Sequence, residues 1–137
     1  MTIFQILLLD DDINDLILIE NFFQPIGGIV TYTANVDDAF NFLKTAKPTL
    51  SLISLKLAHR DNWNLLRQIK KNWVPIIGLA EQGHAFWMKE GRLHGINAYL
   101  EKPLDCKNII KYLPSALAQA WAFNKNGLNN VTAERFR

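Results

Sequence analysis

IFQILLLDDD, residues 3–12, joins a nearly unbroken apolar run to three consecutive aspartates, and the rest of the chain is read outward from that junction. The run is long enough for a strand and too short to cross a membrane. Because it scarcely alternates with polar residues, it predicts a strand covered on both faces, as in a parallel sheet. Four further runs have the same character: IVTYT (29–33), LSLIS (50–54), PIIGLA (75–80) and INAYL (96–100). Between them apolar residues recur at helical spacing, at Leu16, Ile19 and Phe23, at Ala39, Phe40 and Leu43, and at Leu65, Leu66 and Ile69. A fourth helix is expected over 84–92 and a fifth from near Asp105. Breakers fall between elements: PIGG before the second strand, Pro48 before the third, Pro75 opening the fourth and Gly95 before the fifth.

Strand and helix alternating in this way predict a doubly wound α/β fold, because parallel neighbours need right-handed helical crossovers. At 137 residues and 49% hydrophobic, the chain has room for one full core. The expected domain is 1–124, with residues 125–137 a polar tail that frays or forms a short appended helix. The last helical stretch, DCKNIIKYLPSALAQAWAFNKN (105–126), contains Pro114, which removes a helical hydrogen bond and predicts a kink or a restart there. The lone Cys106 excludes an internal disulfide and fits a reducing compartment, and no cationic leader precedes the first apolar run. The expected location is the cytoplasm, with no membrane contact. A formal charge of +2 is too small to argue for nucleic acid. Arg67, Lys70, Lys71, Lys89 and Arg92 accompany no base-reading motif, so none is expected.

In an open α/β sheet, function gathers at the carboxyl ends of the strands. Those ends carry Asp10, Asp11 and Asp12, then Ser54, then Ala80 and Glu81, then Lys102. With these residues in place, the chain resembles the response-regulator receiver domain family across residues 3–120. The acidic pair is Asp10 and Asp11, the lysine joined to proline is Lys102 in YLEKPLD, and Tyr99 takes the aromatic switch position. The resemblance implies a five-stranded parallel sheet of order 2-1-3-4-5. It also implies an aspartate that accepts phosphate from a phosphohistidine, Mg²⁺ held by carboxylates, and a hydroxyl after the fourth strand.

ISLKLAHRD (53–61) puts Ser54 where the acceptor aspartate stands in that family, and Ala80 takes the place of the hydroxyl. A carboxylate makes a labile acyl phosphate and supplies metal-binding charge, and a serine without an adjacent base supplies neither. The expected protein is therefore a pseudo-receiver, a non-enzymatic signalling module with no aspartyl phosphorylation and no cofactor beyond weak Mg²⁺ at Asp10 and Asp11. Lys102 is expected to pair with those two acids in place of metal. The alternatives are control by a divalent ion or small ligand at the carboxyl edge, with His59, His84 and Glu81 as further candidate ligands, and a divergent enzyme using Asp10, Asp11 and Lys102. The resemblance implies a protein partner: a histidine kinase, an output protein or a second copy. The expected contact face is the fourth helix, fifth strand and fifth helix, with Trp87, Tyr99, Trp121 and Phe123. Trp63 and Trp73, flanking the third helix, are expected to cover the core.

Overall fold

Five strands run parallel in the order β2-β1-β3-β4-β5: β1 (Phe4–Leu9), β2 (Gly28–Thr33), β3 (Leu50–Ser54), β4 (Ile76–Ala80) and β5 (Ala98–Glu101). This is a computed structural model that describes residues 3–135, with side chains to residue 125. The order is the expected one. The central strand shows why its sequence does not alternate in polarity: successive side chains leave opposite faces, and both faces are covered. Ile6 and Leu8 join the core layer under α1 (Ile13–Phe23), α6 (Cys106–Ile110) and α7 (Ser115–Arg135). Leu7 and Leu9 join the layer under α2 (Val36–Thr45), α3 (Leu55–Arg60), α4 (Asn64–Lys71) and α5 (Ala85–Leu93). All four are fully buried, and each contributes about 1.5–3 kcal/mol on that account.

Helices α1, α2 and α6 start on side-chain caps that the sequence supplies. Asp12 accepts the N–H of Asn14 at 2.9 Å, Asn35 that of Asp38 at 2.9 Å, and Asp105 that of Lys107 at 2.9 Å. Thus the third aspartate of the DDD run is a helix cap. Two helices, α3 and α4, stand where one was expected, so the fourth helix of the sequence reading is α5. Residues 55–60, which lack apolar periodicity over a length that would reveal it, close into α3 directly after β3, and His59 lies on that helix.

The fifth expected helix is split. After α6 the chain restarts at Ser115, and the Pro114 carbonyl accepts the N–H of Ala118 at 2.9 Å. The backbone of α7 continues through the stretch expected as a tail, residues 125–135, whereas 136 and 137 lie outside the described residues. Trp63 is buried as expected, but Trp73 is 88% exposed and covers no core. No helix among the described residues is long and apolar enough to cross a membrane.

Candidate functional site

β1, β3 and β4 end side by side: Leu9 is in register with Ile53, and Ser54 with Leu79. Asp10 and Ser54 therefore meet at one edge, where Ala80 and Lys102 also arrive. Asp10 is fully buried, and its Oδ1 accepts the N–H of Asp11 and the ammonium of Lys102, each at 2.9 Å. Lys102 also lies 2.9 Å from Oδ2 of Asp15, which projects inward from the first turn of α1. Asp10 Oδ2 has no hydrogen-bond partner among the described residues. Asp11 is not held by Lys102. Its Oδ2 pairs with Lys56 of α3 at 2.9 Å, on the more exposed side of the site.

Burial raises the Asp10 carboxyl to about 6, and a hydrogen bond with Asp15 pushes in the same direction, against the pull of Lys102. For Lys102, burial favours the neutral form, yet hydrogen bonds and charge from Asp10 and Asp15 outweigh it and hold the ammonium above its ordinary value. The Lys56 hydrogen bond lowers Asp11. Three carboxylates and two ammonium groups thus form a nearly self-neutralising cluster. Sequence reasoning found Asp10, Asp11 and Lys102 at strand ends and missed Asp15 and Lys56, which reach the site from helices.

Ser54 is buried, and its Oγ accepts the N–H of Leu57 at 3.4 Å, capping α3. Ala80, fully buried, offers only a methyl group. Tyr99 is half-buried and donates its hydroxyl to the carbonyl of Met88, and burial raises its pKa. Its ring lies against two glycines, so that a Cβ on Gly78 would come 2.8 Å from the ring and a Cβ on Gly91 2.8 Å from Oη.

The three histidines join two tryptophans in one run of rings. His84 packs on Trp87 at 4.6 Å, Trp87 stacks on His59 at 4.4 Å, His59 meets Trp63 edge-on at 5.7 Å, and Trp63 stacks on His94 at 5.9 Å. His84 Nδ1 is occupied by the N–H of Glu81 at 2.9 Å. Among the described residues, no three His, Cys, Asp or Glu side chains are placed to hold a metal ion, and His59, His84 and Glu81 do not converge as ligands. The four residues assigned to one contact face pack in different layers of the fold. Trp87 and Tyr99 pack in the layer under α5, Trp121 packs in the opposite layer, and Phe123 lines a groove with Phe4, Pro25 and Ile26.

Residues 6–114 match the response regulator receiver domain family. The chain belongs to that family. Its fold is shared with solved receivers at low identity. Full-length FixJ from B. japonicum superposes with a TM-score of 0.72 at 21% identity, over 88% of this chain and 60% of that one. The receiver domain of the sensor histidine kinase PA1611 from Pseudomonas aeruginosa, solved with a magnesium ion coordinated in its active-site cleft, gives 0.69 at 22% identity, over 88% and 99%. The N-terminal signal receiver domain of a response regulator from Bacteroides fragilis gives 0.69 at 15% identity, over 88% and 98%. No curated protein matches this receiver domain. It spans 60% of FixJ, so it corresponds to part of that longer protein. As a receiver domain it is a signalling module, and that class is not catalytic in the ordinary sense.

Proposed function

We propose that this receiver domain is a pseudo-receiver: a two-component signalling module that works by holding a protein partner and carries no aspartyl phosphate. The observation that supports this reading is the state of Ser54. Its hydroxyl caps α3, the Asp10 carboxylate at the same sheet edge is engaged by Lys102, and among the described residues no base is hydrogen-bonded to Ser54. The remaining parts of a phosphate switch are also closed. Ala80 has no donor, and Tyr99 is packed between glycines with its hydroxyl bonded to the backbone.

The residues present do not fit Mg²⁺ as a resident ion. A hard dication needs several oxygen ligands and uncompensated negative charge. Here Lys102 occupies Asp10 and Asp15, Lys56 occupies Asp11, and the third carboxylate at the strand ends is replaced by a neutral hydroxyl. Any Mg²⁺ binding at Asp10 and Asp11 is weak, because the two ammonium groups already offset the negative charge that a dication needs, although Asp10 Oδ2 is left without a hydrogen-bond partner among the described residues. The partner is a histidine kinase, an output protein or a second copy of the chain.

Affinity capture from the native cell tests the reading. The same proteins should be retained with and without acetyl phosphate and Mg²⁺ in the buffer. A partner that binds only when both are present would overturn it.

A further inference from the structure

We propose that a groove at the opposite edge of the sheet from Asp10 and Lys102 binds a nucleotide, with phosphates on Arg67, Lys70 and Lys71 and the base on Trp73. The groove lies beside Pro75 and Asn97, which precede β4 and β5, and it is bounded by the carboxyl ends of α4 and α5. Its volume is about 760 Å³, within the range of small-molecule sites. Three cations line it and no carboxylate does, and among the described residues none of the three forms an ion pair.

Two of these cations are held in place. The stem of Lys70 lies on Gly95 so closely that a Cβ there would come 2.7 Å from Lys70 Cδ. Arg67 is hydrogen-bonded by Asn64 and lies 3.3 Å from Nδ1 of His94, whose ring is stacked on the buried Trp63. Cations in the last turn of α4 suit the helix dipole, but that does not account for the apolar residues beside them. Trp73 is 88% exposed and Leu93 77%, one from each wall of the groove. Trp73 also sits at φ 63°, a left-handed position that glycine or asparagine fills at lower cost, so folding alone does not favour an indole there.

Guanidinium and ammonium groups bind phosphate oxygens, and an exposed indole offers a face to a base. One indole takes one base, which suits a single nucleotide better than a strand that stacks successive bases. An acidic peptide would use the cations and leave the indole idle.

ATP is the probe, titrated calorimetrically into the intact chain beside adenosine, inorganic triphosphate and hexaglutamate. ATP should bind saturably, and adenosine and triphosphate should each bind at least about tenfold more weakly, since each lacks one half of the recognition. Trp73→Gly removes the ring and relaxes the left-handed backbone, so it should weaken ATP binding about tenfold without lowering the melting temperature. Lys70→Gln with Lys71→Gln should weaken it by at least about tenfold and flatten its salt dependence. Absence of saturable ATP binding at millimolar concentration, binding unchanged in both variants, or hexaglutamate binding as tightly as ATP would overturn the proposal.

Discussion

Lys102 sits between two buried carboxylates, and its removal leaves Asp10 and Asp15 as unpaired like charges. Lys102→Ala should destabilise the domain by about 3 kcal/mol at neutral pH, the cost of breaking a buried pair from one side. The sign of the pH dependence follows from Asp10. Its folded-state value, about 6, exceeds the ordinary 3.8, so between those values the folded chain holds a proton that the unfolded chain has released. This contribution to stability is present at low pH and is lost as pH rises through about 6. Without Lys102 the carboxyl rises further. Denaturant melts should therefore show a smaller penalty for Lys102→Ala at pH 4.5 than at pH 7; an equal penalty at both would mean that Lys102 does not act through the charge on Asp10, and no penalty at either would mean that the ammonium is simply solvated. Asp10 and Lys102 were legible because strand ends in a parallel sheet converge. Asp15 and Lys56 were not, because an acid in the first turn of a helix reads as a partner of the helix dipole. Which way it faces depends on the packing of that helix.

The strands and the main helices followed from apolar runs and periodicity, and Pro114 marked the restart of α7. The helix over 55–60 was hidden because six residues are too few to show a helical period, and the fate of the tyrosine was hidden because it depends on two distant glycines. Gly91 lies in α5, where alanine would ordinarily favour the helix by about 1 kcal/mol. Here its Cβ would come 2.6 Å from Ile96 Cδ1 and 2.8 Å from Tyr99 Oη. Gly91→Ala should therefore destabilise by about 1–2 kcal/mol through overpacking and break the bond from Tyr99 to Met88. Chemical melts with tyrosine ring shifts read by NMR check this. A variant more stable than the parent would show that Tyr99 swings aside freely and that the static reading of the switch is wrong.

Across the whole molecule, the aromatic residues first grouped on one face divide into core and surface, and this division sharpens the partner question. Trp121 is half-buried in the layer under α1, and Trp121→Ala should cost about 1–3 kcal/mol of stability. Phe123 is 80% exposed, so Phe123→Ala should change stability by less than about 0.5 kcal/mol. If it anchors a captured partner, that complex should weaken by about 2 kcal/mol in a binding titration, and unchanged binding would move the interface elsewhere. The proposed pseudo-receiver requires that neither Ser54 nor the acidic pair accept a phosphoryl group. Intact mass spectrometry after incubation with a phosphorylated histidine donor and Mg²⁺ tests that claim, with a receiver that has the acceptor aspartate as the positive control. The mass of this chain should stay unchanged while the control gains one phosphoryl group; a phosphoryl group mapped to Asp10, Asp11 or Ser54 would contradict the account.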